Sequence, residues 1–215
     1  MKEHHIYFAW YTTPLPPDRY QALLRVLPAV MQEKAGRYMR WQDAHAYVLG
    51  RHLLLYGLRQ AGASPDLSYI RYSDNGRPSL PGMPAFNISH SGNLVLCVIS
   101  PEPEVGIDIE LHADINFADF DRCFGPAEWG RIHTAAMPGS LFYDYWTAKE
   151  AVLKADGCGL IEDLQLLALD EENRMLLNGR SWLLRSIPAF EGYSCHLATL
   201  DNSYGYTLTD AGALL

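Results

Sequence analysis

Asp108 and Glu110 stand two residues apart in Gly106-Ile107-Asp108-Ile109-Glu110, where acidic and apolar residues alternate. On an extended chain both carboxylates then share one face, and Ile107 and Ile109 share the other. Like charges held that close repel unless a cation lies between them, and an all-oxygen pair suits Mg2+. The plain alternative is a solvated strand face, because exposed Asp and Glu are common.

A second segment, Trp146-Thr147-Ala148-Lys149-Glu150-Ala151-Val152-Leu153-Lys154, has helical spacing. Trp146, Glu150 and Lys154 recur every four residues and line one face. Glu150 there is a third oxygen ligand or a general base, and Lys154 a cation for a phosphate or a leaving oxygen. The alternative is a surface Glu–Lys pair worth roughly a few tenths of a kcal/mol. A third segment, Phe86 to Asn93, reads as a turn between two strands. Its Ser89 and His90 offer hydrogen-bond donors to a phosphate. They point opposite ways on an extended chain, which argues against a Ser–His nucleophile, and no G-x-S-x-G motif supports a hydrolase. Lys34, Arg37 and Arg40 at helical spacing, with Arg77 in a loop, form either an anion pocket or a solvated face.

Rigid elements must hold these side chains. Hydrophobic periodicity predicts helices over Arg19–Val26, Asp43–Ala61, Phe117–Phe124, Pro126–Ala136 and Leu141–Asp156. Asp43 and Ser140 are the expected N-caps, and Gly62 and Gly157 the expected stops. Strands are expected at His5–Trp10, Tyr69–Tyr72, Ala85–Ser89, Leu94–Ser100 and Val105–Glu110. In the second half they are expected at Leu164–Leu169, Met175–Leu177, Ser181–Ile187, Tyr193–Leu200 and Tyr204–Thr207. Strands grouped after helices indicate an α+β fold with antiparallel sheets. The order repeats in outline, so the expected architecture is pseudo-duplicated, each half a long helix against an antiparallel sheet. The division falls at Pro101-Glu102-Pro103, giving halves 1–103 and 104–215, the second carrying the acidic segment.

The 215 residues are 48% hydrophobic and 20% charged, which excludes a disordered or fibrous chain. A net charge of -8 argues against general nucleic-acid binding, which needs a basic face. No apolar run reaches the ~18 residues of a membrane span. The start, Met1-Lys2-Glu3-His4-His5, has no long apolar stretch behind it, so no signal peptide is expected. Cys97, Cys123, Cys158 and Cys195 are far apart, form no CxxC, and read as reduced thiols of a cytoplasmic protein.

Taken together and in order, the three segments closely resemble the signatures of the Sfp-type 4′-phosphopantetheinyl transferases. Those are a histidine turn, a G-[IV]-D-[IV]-E strand and a W-x-x-K-E-[AS]-x-x-K helix. The likeness reaches upstream to Arg77-Pro78 and Asp43-Ala44-His45, and fades after Leu160. It implies a monomer of two similar halves with coenzyme A in the cleft between them. It implies Mg2+-dependent transfer of the phosphopantetheine arm to a serine of an apo carrier protein, releasing adenosine 3′,5′-bisphosphate. The carrier is an acyl, polyketide or nonribosomal peptide carrier, with a mild preference for secondary metabolism. By the same resemblance, Asp108, Glu110 and Glu150 hold Mg2+. Glu150 takes the serine proton, directly or through water, and Lys154 stabilises the leaving group. Ser89 and His90 bind phosphate, His90 the 3′-phosphate, and Lys34 and Arg77 contact coenzyme A.

This chain departs from the pattern at Ala46 and Met31, where the family carries basic residues. The 3′-phosphate is then expected to be held less tightly, or by Arg37, Arg40 or Arg51. Phe117, Phe120 and Phe124 are candidates for docking the carrier, or for core packing. Two other functions fit parts of the pattern: a non-catalytic carrier-binding module, and a Mg2+-dependent phosphohydrolase that cleaves coenzyme A without a carrier.

Overall fold

The computed structural model describes residues 3–159 and 163–214. Met1 and Lys2 of the opening stretch, and Leu160, lie outside them. The chain runs β1 (Glu3–Trp10), α1 (Pro17–Val26), α2 (Ala29–Gly36), α3 (Trp41–Gln60), β2 (Arg71–Tyr72) and β3 (Pro78–Ser79). It continues through β4 (Ala85–Ser91), β5 (Leu94–Ser100), β6 (Gly106–Leu111), α4 (Pro126–Thr134) and α5 (Pro138–Asp156). It closes with β7 (Arg174–Leu177), β8 (Arg180–Ser186), β9 (Tyr193–Thr199) and β10 (Gly205–Asp210).

The α+β expectation holds. Two four-stranded sheets form, ordered β10-β1-β5-β4 and β6-β9-β8-β7, and β2–β3 is a separate short hairpin. The first sheet is not wholly antiparallel, because β10 pairs parallel to β1. That strand comes from the end of the chain, so a division at 103 and 104 does not give each sheet one continuous stretch.

Alternation along the strands builds the layers. On β5, Val95, Cys97 and Ile99 face α3, where they meet Val48, Leu54 and Leu58. Leu94, Leu96 and Val98 face the other way, against Ile107, Ile109, Cys195 and Leu197 of the second sheet. Every residue of β5 is therefore buried. Beyond the second sheet, Ala148, Ala151, Val152 and Ala155 of α5 cover Trp182, Leu184 and Ala198. The order of layers is α3, first sheet, second sheet, α5.

Several local expectations shift. Asp43 does not cap α3: the helix starts at Trp41 with Arg40 in the cap position, and Asp43 lies in its first turn, where a carboxylate suits the helix dipole. Ser140 does not cap α5, because Pro138 pre-sets the helical φ two residues earlier. Gly157 does end α5, at φ 78. Phe117–Phe120 and Leu164–Leu166 are only 3-10 turns, and a strand near Tyr69 is reduced to Arg71–Tyr72. Their apolar residues signalled burial, not period. The histidine segment is strand up to Ser91, and the reversal falls at Gly92, φ 54.

Gly106 sets how closely β6 approaches α5. A Cβ built there would lie 2.0 Å from the Ala151 carbonyl oxygen and 2.6 Å from the Ala155 nitrogen. Both are backbone atoms of a packed helix and cannot rotate away. Gly106→Ala should therefore lower stability by about 3 kcal/mol, an overpacking cost. Urea denaturation should show a lower midpoint at unchanged m value. An unchanged midpoint would mean that α5 can move outward freely.

Candidate active site

β6 is an edge strand of its sheet, so alternate backbone N–H groups point away from β9 and need partners. Side chains of β4 supply them. Ile107 N–H donates to Asn87 Oδ1 at 3.0 Å, Ile109 N–H to Ser89 Oγ at 3.3 Å, and Leu111 N–H to Ser91 Oγ at 3.1 Å. Asn87, Ser89 and Ser91 share one face of β4 by the two-residue period. They join the edges of the two sheets by a ladder that is half side chain and half backbone.

The same serines reach the carboxylates. Ser89 donates its hydroxyl to Asp108 Oδ1 at 2.8 Å, and Ser91 donates to Glu110 Oε2 at 2.6 Å. From α5, Lys154 Nζ donates to Asp108 Oδ1 at 2.6 Å and to Ser89 Oγ at 3.0 Å. Trp146, Glu150 and Lys154, read from the sequence as one helix face, all line a cavity of about 330 Å³ with Ser89, His90, Asp108 and Glu110. Trp146 is backed edge-on by Phe120 at 5.5 Å.

Burial raises the Glu150 carboxyl above its usual range, and Asp108 and Glu110 raise it further against the pull of Lys154. Burial likewise raises Glu110, with Asp108 adding to it and the Ser91 bond opposing. His90 is held below its ordinary value, first by burial and then by the Lys154 charge, with Arg51 adding to the effect.

The donor chemistry fits a hard divalent cation. Three carboxylates supply oxygen only, and Asp108 Oδ2 is buried without a hydrogen-bond partner. Among the described residues, no three His, Cys, Asp or Glu side chains are arranged to hold a metal ion by themselves. Mg2+ is usually bound through one or two carboxylates, with water and substrate phosphates completing its shell. The residues present meet that requirement without a closed cage.

A second cavity of about 570 Å³ adjoins the first, sharing Ile88, Glu150 and Lys154 in its lining, and Arg77 lines it. Its far wall is made where the 75–78 loop rests on the end of α5: Asn75 Nδ2 donates to the Gly157 carbonyl at 3.3 Å. A Cβ on Gly157 would lie 2.7 Å from Arg77 Cδ, besides requiring its φ of 78.

The other expected cations sit elsewhere. Lys34 and Arg37 line a separate cavity of about 520 Å³, with Tyr38, Tyr47 and Tyr72. Lys34 belongs to α2, Arg37 caps its end, and Arg40 precedes α3, so the three do not share one helix face. Lys34 Nζ lies 5.4 Å over the Tyr47 ring, and Arg37 pairs with Glu33 at 2.5 Å on the exposed surface. Arg51, one turn along α3 from Tyr47, stacks on it at 3.7 Å and keeps a buried Nε without a partner.

Other residues are engaged in packing or internal hydrogen bonds. His45 is satisfied on both nitrogens, by the Leu15 N–H at 3.1 Å and the Trp41 carbonyl at 2.8 Å. Lys149 is 1% exposed and uses its three protons on Glu128 Oε2, the Cys123 carbonyl and the Leu164 carbonyl. Phe124 is fully buried, and Phe117 and Phe120 pack on Phe142. All four cysteines are free thiols, as expected.

Sequence reading missed Asn87, Ser91 and His196. The N-x-S-x-S spacing at 87–91 signals a polar strand face, but not what lies opposite it. His196 is the β9 neighbour of Asp108 in register. Its Nδ1 lies 2.8 Å from Thr147 Oγ1, whose own proton goes to the Tyr143 carbonyl, so Nδ1–H is the donor. Burial lowers the pKa of this imidazole, against the opposing pull of Asp144 and Asp108. No spacing within the chain connects residues 147 and 196.

Comparison with known proteins gives a consistent set of relatives. A family model described as the 4′-phosphopantetheinyl transferase superfamily matches residues 104–204. A 4′-phosphopantetheinyl transferase of Bacillus subtilis is 31% identical over 166 residues, covering 72% of this chain and 71% of its own. The 4′-phosphopantetheinyl transferase Sfp of Bacillus subtilis is 28% identical over 215 residues, covering 97% of this chain and 92% of its own. The 4′-phosphopantetheinyl transferase gsp of Aneurinibacillus migulanus is 31% identical over 180 residues, covering 80% and 76%.

Removing the cation tests the electrostatics of the cavity directly. Lys154→Met leaves Asp108, 3% exposed, beside two other carboxylates with no positive partner. Such a change should cost about 3 kcal/mol at neutral pH in EDTA. Adding Asp108→Asn should recover most of it, because the uncompensated charge is gone. Urea midpoints of the two variants check both expectations.

Proposed function

The chain belongs to the 4′-phosphopantetheinyl transferase superfamily, and on that premise we infer how its own residues carry out the transfer. It is an enzyme that moves the phosphopantetheine arm of coenzyme A to carrier proteins. The observation that carries the residue assignment is the meeting of Asp108, Glu110, Glu150 and Lys154 in one cavity, with a larger one beside it.

In this reading the serine hydroxyl of the carrier attacks the phosphorus nearer the pantetheine. A new P–O bond forms to serine, the pyrophosphate P–O bond breaks, and adenosine 3′,5′-bisphosphate leaves. Glu150 accepts the serine proton, directly or through one water. Lys154 neutralises charge on the departing phosphate. Asp108 and Glu110, with Glu150, would hold Mg2+, which when bound offsets the charge of the pyrophosphate. Arg77 lines the adjoining cavity, where it is a second cation beside Lys154 for the phosphates of coenzyme A. His90 is assigned to the 3′-phosphate, with Arg51 supplying the charge that Ala46 lacks. Lys34 and Arg37 would serve only a coenzyme A that reaches their separate cavity. Ser89 has given its one proton to Asp108, so it supports the carboxylate before it can meet a phosphate. A monomer in the cytoplasm, with acyl, polyketide or nonribosomal peptide carriers as partners, completes the reading.

An intact-mass assay tests it. Protein, coenzyme A and Mg2+ are mixed with a panel of apo carriers, with and without EDTA. The expected result is one phosphopantetheine added, and none in EDTA. Cleavage of coenzyme A without a carrier would favour a phosphohydrolase, and binding with no mass gain a non-catalytic module. Asp108→Ala should lose about 100-fold or more in kcat/KM while staying folded by circular dichroism. Near-normal turnover of that variant would remove Asp108 from the metal set. His90→Ala should raise KM for coenzyme A by about 10-fold, yet leave KM for 3′-dephospho-coenzyme A nearly unchanged. Equal losses for both would reject the 3′-phosphate role.

A further inference from the structure

We propose that Ser91 is a positioning residue that presents Glu110 to the cation, as Ser89 presents Asp108, so that one repeated device on β4 sets both carboxylates of β6. The inference rests on the reading that Asp108 and Glu110 take a divalent cation.

The geometry repeats with a two-residue step. Each serine accepts one β6 backbone N–H and donates its hydroxyl proton to the carboxylate one residue earlier. Ser89 takes Ile109 N–H and gives its proton to Asp108 Oδ1; Ser91 takes Leu111 N–H and gives its proton to Glu110 Oε2. A hydroxyl has a single proton. Because the backbone N–H occupies one lone pair, that proton is directed at the carboxylate and nowhere else. One oxygen of each carboxylate is thereby tied to β4, and the other is left without a protein hydrogen bond among the described residues. For Asp108 this is the buried Oδ2.

The two positions differ in what else holds the carboxylate. Asp108 also receives Lys154, at 2.6 Å. Glu110 has one more rotatable bond and no ion pair among the described residues. A longer side chain beside two like charges would swing toward solvent unless held. Ser91 is the one side chain seen to hold it, through a bond of 2.6 Å. Groups that orient a metal-binding carboxylate typically change metal affinity by about 10- to 100-fold when removed.

The test titrates Mn2+ alone into the full chain and follows the free-ion electron paramagnetic resonance signal. Ser91→Ala should weaken Mn2+ by about 10-fold or more. Ser91→Thr keeps the hydroxyl and should stay within about 3-fold of the unchanged chain. In turnover, Ser91→Ala should raise the Mg2+ concentration needed for half activity, with little change in KM for coenzyme A. Equal Mn2+ affinity for Ser91→Ala and the unchanged chain would overturn the proposal, and so would an equal loss in a folded Ser91→Thr. If the unchanged chain binds no Mn2+ either alone or with coenzyme A added, the metal reading fails, and a thermal double-mutant cycle in EDTA decides the Ser91–Glu110 link. Non-additive melting shifts for Ser91→Ala and Glu110→Gln would uphold it, and additive shifts would overturn it.

Discussion

The open edge of β6 is the constraint on which the molecule turns. An edge strand presents unpaired N–H groups, and burying them without partners would cost roughly 1–3 kcal/mol each. Here the partner is a row of polar side chains on β4, at Asn87, Ser89 and Ser91. That choice has two consequences. The edges of the two sheets are locked in register, so the two large layers meet at one fixed seam. The serine hydroxyls, once oriented by backbone, have protons left over for the two carboxylates of the same strand. Structure and chemistry share the two serines, while Asn87 serves the seam alone.

The opposite wall of the cavity comes from α5, and its position is fixed from behind and below. Gly106 lets the helix lie directly on β6, where any Cβ would strike the Ala151 carbonyl. Lys149, next to Glu150 in sequence, faces away and spends all three protons on Glu128 and two loop carbonyls. A buried lysine with every donor satisfied cannot rotate its helix without losing a charge pair, which is costly. Thr147 and His196 add a hydrogen-bonded tie between α5 and β9 at the level of Asp108. The helix face carrying Glu150 and Lys154 is thus held by glycine contact, an ion pair and a hydrogen bond on its hidden side. The like charges in front can then stay close without pushing the elements apart.

Much of this was readable in the linear chain because it depends on short periods. The alternation of Gly106 to Glu110 places Asp108 and Glu110 on one face, and the four-residue step from Trp146 to Lys154 places three side chains on one helix stripe. Both statements need only the geometry of a strand and a helix. The α+β class follows from the same periods, and so does the stop of α5 at Gly157. Short apolar runs were less informative. Leu164–Leu166 and Phe117–Phe120 are buried 3-10 turns, and burial alone does not distinguish them from strand or helix. The caps were misplaced where proline, or no side chain at all, started the helix.

Distance along the chain set the limit. The sequence alone determined which residues could act and which face each would occupy, since local backbone geometry repeats every two or 3.6 residues. Only the tertiary structure decided that Ser89 serves Asp108, that Ser91 reaches Glu110, and that His196 supports Thr147. It also decided that Lys34 and Arg37 stand in a cavity of their own, while Arg77 borders the site. The three side-chain pairings join residues 19 to 49 positions apart. They exist because an edge strand needed hydrogen-bond partners and two sheets had to bury their facing sides, and no period within either segment encodes what the other segment will bring.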